Sequence, residues 1–305
     1  MSTANIVQTV PRRLGAIVPQ SVAYAFIAPA LLCLFALLVL PILVVFALSF
    51  TDYELGDIAS SFVGIANYQA AMSSPEFVNS FRNTVYYALL TVPFSVISGL
   101  FLAIVLFNLK RGRRLYQLIF FLPVTTTLIP MATVWRYLLH GQIGPLAQLF
   151  SALGLPQVEF FSDPQLAMPS LAVISIWHGA GFNMVLFIAG LTAIPDELYD
   201  AASVDGVDHP LERLFTIVLP LLGPTLLFVL VMSLISAFRM FDLVGALTRG
   251  DPYGATDVIL YTTYLEGYSY FRMGSASAMT MIFLVIILLL SIVQSRTIEQ
   301  RVHYQ

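Results

Sequence analysis

The chain has 305 residues, 58% of them hydrophobic and 10% charged, with a formal net charge of −3 and a mean hydropathy of +0.86. So apolar a composition excludes a protein whose whole surface faces water and indicates one that lives in a bilayer. No nucleic-acid partner is expected of it, and membrane lipid is the first partner that the composition implies.

A helix needs about 20 mostly apolar residues to cross a hydrocarbon core roughly 30 Å thick. Six stretches qualify, residues 22–50, 85–109, 115–139, 167–193, 214–240 and 273–293, with short tails at 1–21 and 295–305. The first is too long for a cleaved signal core and lacks a cleavage pattern, so it is read as retained. Cys33, the sole cysteine, lies inside it, which excludes an intrachain disulfide. Lys and Arg gather on the cytoplasmic side of short connections. Arg12 and Arg13 before the first span, and Lys110, Arg111, Arg113 and Arg114 between the second and third, therefore belong inside. Six spans return the last tail, with Arg296 and Arg301, to the cytoplasm, and place residues 194–213 there as well. The connections at 51–84, 140–165 and 241–272 face outward, with turns expected at Gly141 to Pro145, Asp163-Pro164 and Gly250 to Gly254, and with short helices but no separate domain.

Within the spans, a polar solute needs hydrogen-bonding and aromatic partners to offset its desolvation. The candidates are Trp177, His178 and Asn183 in the fourth span, Thr125, Thr126 and Thr127 in the third, and Tyr86 and Tyr87 in the second. Interhelical hydrogen bonding explains the same residues as simply. Pro220 and Pro224 are expected to bend the fifth span, Gly179-Ala180-Gly181 to break the fourth, and Gly274 with Ala278 to let helices approach closely. Arg82, Arg136, Arg239, Arg249 and Arg272 fall toward the outer side, where they either attract an anionic solute or pair with Asp242, Asp251, Asp257 and Glu266.

Residues 194–213 form a polar island carrying Asp196, Glu197, Asp200, Asp205, Asp208 and Glu212 against a single Arg213, which suits a basic partner surface. Asp196 is placed to cap a short helix with Leu198, Ala201 and Ala202 near one face, and Gly206 to end it in the left-handed conformation. Asp208 is placed to cap a second helix with Pro210 in its first turn.

Asp200-Ala201-Ala202, Asp205-Gly206, Pro220 and Pro224 together resemble the EAA loop of the inner-membrane permease subunits of binding-protein-dependent ATP-binding-cassette importers. The resemblance extends through Phe62-Val63-Gly64, Asn67-Tyr68, Asn83-Thr84, Leu122-Pro123, Trp177, Ala189-Gly190-Leu191, Ile194-Pro195 and Leu219-Pro220. It continues at Thr248 to Pro252, Thr256, Tyr264 and Gly274 to Ala278, so it covers nearly the whole chain and points to the carbohydrate-uptake branch. Glu266-Gly267-Tyr268 and the last residues, 293–305, look most like the glycerol-3-phosphate permeases of that branch. Two positions depart from the family pattern: Asp200 stands where Glu is usual, and Val207 where Ala is usual.

The resemblance implies an all-α, polytopic membrane protein with six transmembrane helices and a cytoplasmic coupling-helix (EAA) loop. Asp200, Ala201, Ala202, Asp205 and Gly206 would then meet a cytoplasmic ATPase dimer. A second homologous permease would complete the pore, and a periplasmic solute-binding protein would deliver a small polar solute, either a sugar, a polyol or a glycerol phosphate. Lys110 is the only lysine and lies in no phosphate loop, so ATP and its magnesium are expected on another chain. The chain itself is expected to be no enzyme. His140, His178, His209 and His303 show no paired metal spacing, and there is no nucleophile elbow. The competing reading is an ion-coupled secondary transporter, against which stands the near absence of ionisable residues within the spans.

Overall fold

The computed structural model describes residues 20–207 and 209–299. Asp208, Arg12, Arg13, Arg301 and His303 lie outside the described residues, and with them the expected Asp208 cap and the tail charges. Apart from one isolated antiparallel bridge between Thr51 and Phe62, the regular structure among the described residues is helical. Four helices are long and apolar enough to cross a membrane: Tyr24–Leu48, Pro75–Phe107, Ala167–Thr192 and Met273–Val293. Two bent pairs, Arg113–Thr125 with Leu128–Leu138 and Pro210–Leu221 with Gly223–Phe238, raise the number to six if each pair is one span.

The chain divides into two compact units, one ending at Ala47 and one beginning at Leu48. The first holds the Tyr24–Leu48 helix, which has a hydropathy of 3.2 and buries none of that window within the chain. It widens to a π turn at Phe35–Val39, where the Leu40 N–H reaches back to the Phe35 carbonyl just before Pro41. Proline has no N–H, and its ring presses on the carbonyl four residues back, so a widened turn relieves the clash.

In the second unit the Pro75–Phe107 and Ala167–Thr192 helices form the centre, with Gly223–Phe238 packed across both. The first of these starts ten residues before the expected apolar boundary at Val85 because its start is chemically well marked. Pro75 occupies the first turn, Glu76 favours the positive end of the helix dipole, and the Ser74 hydroxyl accepts from the Phe77 N–H at 3.2 Å. Ser80, Asn83 and Thr84 of that extension are buried inside the protein, whereas Glu76 and Arg82 are exposed.

Glycine governs how closely the two central helices approach. A Cβ at Gly99 would collide with that of Asn183 and stand 3.2 Å from the Met184 nitrogen. Gly181 receives the Phe120 carbonyl of the Arg113–Phe121 helix just as tightly. This corrects the expected break at Gly179-Ala180-Gly181: Ala167–Thr192 is continuous, and its small residues admit a neighbour's backbone. Gly274 does hold a close contact, against the Thr51 carbonyl, and Ala278 is fully buried.

The stretch expected as one third span, 115–139, is broken instead and turns through 101°. Leu122–Thr125 tightens to a 3-10 turn around Pro123, and Thr126 and Thr127 are extended, which suits residues entering a helix with Pro130 in its first turn. The fifth span bends by 75° at Leu222, between Pro220 and Pro224, as expected. Its lower end, like the first helix, carries a π turn directly before the proline, at Leu214–Val218. The connections expected to face outward contain short helices at Ala66–Ser73, Pro145–Ala152 and Ile259–Tyr264.

Candidate functional site

Two features stand out, an internal cavity and the exposed loop at 194–213. The cavity, of about 320 Å³, lies beside the midpoints of the Pro75–Phe107 and Ala167–Thr192 helices. Tyr87, Thr91 and Ser95 line it at successive helical turns of the first, and Ser175, His178, Gly179 and Phe182 line it from the second. Ser233 and Ser236 come from Gly223–Phe238, and Arg239 and Asp242 from the segment that follows. Its wall thus sets several hydroxyls, the Asn183 amide, one imidazole and one charge of each sign among apolar side chains that include Phe182 and Phe241.

Three of the eight solute-path candidates meet there, Tyr87, His178 and Asn183, together with Arg239 and Asp242, which the sequence places toward the outer side. Asn183 is 3% exposed, and its side-chain N–H groups are shared among the Ser95 carbonyl at 3.2 Å, Ser95 Oγ at 2.9 Å and Ser233 Oγ at 3.3 Å. It therefore joins three helices as well as facing the cavity. His178 Nε2 is buried and has no hydrogen-bond partner among the described residues, while the buried Thr91 Oγ1 stands beside the Tyr87 hydroxyl.

The other five candidates lie elsewhere. Trp177 packs edge-on against Trp135, with ring centroids 5.4 Å apart, and is not among the residues that line the cavity. The Thr125 and Thr126 hydroxyls close on their own backbone, donating to the Leu122 and Pro123 carbonyls at 2.8 and 2.7 Å. They and Thr127 are exposed at the break in the chain, and their neighbours Val124 and Leu128 face the cavity instead. Tyr86 lines a separate groove with Asn79, Arg82 and Tyr253. Thr91, Ser95, Ser175, Ser233 and Ser236 were not singled out, although Thr91 and Ser95 follow Tyr87 at helical spacing and that periodicity was the available signal.

The loop is built as two short helices. Asp196–Val204 begins after Pro195, which holds the cap position, so Asp196 lies in the first turn and supplies charge to the helix dipole rather than a cap. The helix ends at Gly206 with φ of +84°. There the Gly206 N–H donates to the Ser203 carbonyl at 3.2 Å and the Val207 N–H to the Ala202 carbonyl at 2.9 Å, the pairing of a Schellman stop. At the second helix, Pro210–Arg213, the cap position belongs to His209, whose Nδ1 accepts from the Leu211 N–H at 3.3 Å. No residue of Asp196–Val204 is buried: Asp200, Ala201 and Asp205 are exposed and Ala202 is half-buried. Apolar side chains stand out beside them, Leu198 at 42% and Val204 at 88% exposure.

In the connection expected to face outward, Arg272 pairs with Glu266 at 2.9 Å, one of the two roles that the charge pattern leaves open. Arg136 instead donates to the Ala246 and Leu247 carbonyls at the end of a π turn. Between them the 248–257 loop is fastened inward: Asn79 and Asn83 both donate to the Gly254 carbonyl at 2.8 Å, and Thr256 bonds the Asp251 carbonyl at 2.7 Å. Asp257 folds over Gly250 and Gly254. Burial, and then the nearby Asp251 charge, push its carboxyl up to about 6. Folded, it keeps its proton to about pH 6; unfolded, only to its ordinary value near 3.8. The loop is therefore most stable below that ordinary value and loses this contribution as pH rises through 6. Because the group is only half-buried, about 1 kcal/mol is a ceiling for the effect. Protection factors of residues 248–257, taken after correction for the intrinsic pH dependence of amide exchange, should be higher at pH 5 than at pH 7.5, and Asp257→Asn should abolish the difference.

Residues 63–304 match the family of binding-protein-dependent transport system inner membrane components, and the chain belongs to that family. It is 34% identical to a probable ABC transporter permease protein, YesP, of Bacillus subtilis, across 92% of each chain. It is 33% identical to the sn-glycerol-3-phosphate transport system permease protein UgpA of Agrobacterium fabrum, across 81% of this chain and 84% of that one. The fold is similar to a chain of a bacterial ABC transporter involved in the import of the acidic polysaccharide alginate, with TM-score 0.81, 23% identity, and coverage of 92% of this chain and 96% of that one. A second structure of a bacterial alginate transporter, in complex with a pentasaccharide-bound periplasmic protein, matches with TM-score 0.80 and 24% identity over 90% of this chain and 93% of that one. This is an ABC importer permease, a transport subunit rather than an enzyme.

Proposed function

We propose that the chain is the six-pass half of a pore in a bacterial inner membrane, with both ends in the cytoplasm. It imports a sugar, polyol or glycerol-phosphate-like solute handed over by a periplasmic binding protein. A second homologous permease supplies the other half, and a cytoplasmic ATPase dimer binds ATP and magnesium. Residues 194–213 form the coupling loop to that dimer, with Asp200, Ala201, Ala202, Asp205 and Gly206 at the contact. Its exposed helix, acidic on one side and apolar on another, supports the reading. The apolar groups supply buried area and the carboxylates orient a basic partner.

The observation that carries the solute class is the cavity wall. The hydroxyls of Thr91, Ser95, Ser175, Ser233 and Ser236 on an otherwise largely apolar wall, with a buried His178 nitrogen that has no partner among the described residues, suit a ligand that presents both hydroxyl groups and an apolar face. Phe182 offers an apolar face to a sugar ring, and Arg239 can meet a phosphate. The solute must shed its water here, so each missing partner is felt.

The test is uptake of radiolabelled sn-glycerol 3-phosphate and of disaccharides by the full complex in proteoliposomes, with and without ATP. The reading expects ATP-dependent uptake of one of these. Thr91→Val combined with His178→Leu should lower that uptake at least tenfold, about 1.4 kcal/mol or more at the binding step. Uptake by this chain alone, driven by a proton gradient, would favour the ion-coupled alternative and sink the proposal.

A further inference from the structure

Arg213 is the one basic residue of the 194–213 island, and its side chain does not point out toward a partner. It turns back across the loop. Its Nε–H donates to the Val207 carbonyl at 2.9 Å, and a terminal N–H donates to Ser203 Oγ at 2.7 Å. Ser203 in turn donates its own hydroxyl proton to the Tyr199 carbonyl at 3.0 Å. One guanidinium thus ties three places: the last turn of Asp196–Val204, the residue just after the Gly206 stop, and the start of the helix that becomes the fifth span. Charge-assisted bonds of this kind are about twice as strong as neutral ones, and the planar fork makes them directional.

The surroundings explain why such a tie is needed. Between the two short helices the backbone passes through a left-handed glycine, and a Cβ at Gly206 would meet nothing within 4 Å. The turn has no packed core to stiffen it, and no residue of either short helix is buried. Beyond Arg213 the chain is continuously helical: the Leu214–Val218 π turn and Leu219–Leu221 lead directly to the 75° bend at Leu222. A push on the first short helix reaches that bend only if the turn does not flex.

We propose that Arg213 is the positioning residue that makes residues 196–218 one rigid lever, so that it determines how much of the ATPase's motion reaches the pore. The inference rests on the coupling role given above to this loop. Without the tie, the ATPase still grips the Asp196–Val204 helix, but the Gly206 turn absorbs the displacement. ATP is then spent without opening or closing the cavity.

The experiment uses the full complex with its ATPase and companion permease. Cys33→Ser removes the native thiol, and Ser236→Cys, exposed on the cavity wall, reports access to a charged methanethiosulfonate reagent. The parent should show at least a fivefold change in labelling rate between the nucleotide-free and the ATP–vanadate-trapped states. Arg213→Ala should still co-purify with the ATPase and hydrolyse ATP, with the labelling change reduced below twofold. Arg213→Lys, which loses the planar fork, should fall between them, as should Ser203→Ala, which removes one of its acceptors. A full labelling change in Arg213→Ala overturns the inference. If Arg213→Ala does not assemble, Ser203→Ala decides, and a full change there overturns it likewise. A parent that itself shows no nucleotide-dependent change sinks the coupling reading beneath it instead.

Discussion

Gly206→Pro and Asp200→Arg are each expected to reduce ATP-driven transport by about a hundredfold while the membrane-embedded helices stay folded. At Gly206 the φ of +84° lies where proline, fixed near −65°, cannot follow, and proline also lacks the N–H that bonds the Ser203 carbonyl. Such a change costs about 3 kcal/mol or more locally. The open space around Gly206 means that crowding plays no part in this. A comparison with Gly206→Ala separates backbone from shape: the left-handed penalty of alanine is about 1–2 kcal/mol, so that variant should be impaired but active. Asp200→Arg leaves the helix intact, because the side chain is exposed, and puts a like charge against a basic partner. Thermal stability of the isolated chain should move by less than 2 °C with Asp200→Arg, while ATP turnover stimulated by the binding protein disappears.

The second large effect concerns assembly. Gly99→Val should prevent recovery of a stable protein, because its side chain would be driven into Asn183 and the backbone of the adjoining residue at the tightest point between the two central helices. Helix separation there also parts Asn183 from Ser95, and with it from Ser233 on the third partner helix. Loss of a buried partner costs about 1–3 kcal/mol, in addition to the overpacking. Asn183→Leu should lower the thermal midpoint in detergent by several degrees, less than Gly99→Val, because leucine fills the space while leaving both serines unpaired. A Gly99→Val protein that purifies with an unchanged midpoint would contradict the close packing described here.

Much of this architecture could be read from residue order, for identifiable reasons. Apolar length marked the membrane-crossing helices because lipid leaves few other places for such runs. Pro220 and Pro224 marked the bend because a missing N–H acts locally, and Gly206 marked a helix end because few other residues tolerate its backbone angle. Position-specific tertiary contacts were harder. Gly179-Ala180-Gly181 reads alike as a break or as a docking groove, and only the presence of Phe120 beside Gly181 decides for the groove. The 101° turn at Thr126-Thr127 was hidden inside an apolar run. Thr125 and Thr126, which looked like solute ligands, use their hydroxyls on their own backbone. The cavity was half legible: Tyr87, His178 and Asn183 are conspicuous side chains, whereas Ser95, Ser175, Ser233 and Ser236 become a site only when three helices bring them together. Arg213 was visible as a lone base among acids, but its inward turn depends on the loop's geometry.

The most direct test of the account replaces Cys33 by serine and places a single cysteine at the exposed Ala201. In membrane vesicles holding the whole transporter, a membrane-impermeant thiol reagent should label that cysteine from the cytoplasmic face alone. A short bifunctional reagent should join it to the ATPase, with a yield that changes on trapping with ATP and vanadate. Labelling only from the periplasmic face, or no cross-link to the ATPase in any nucleotide state, would contradict the account.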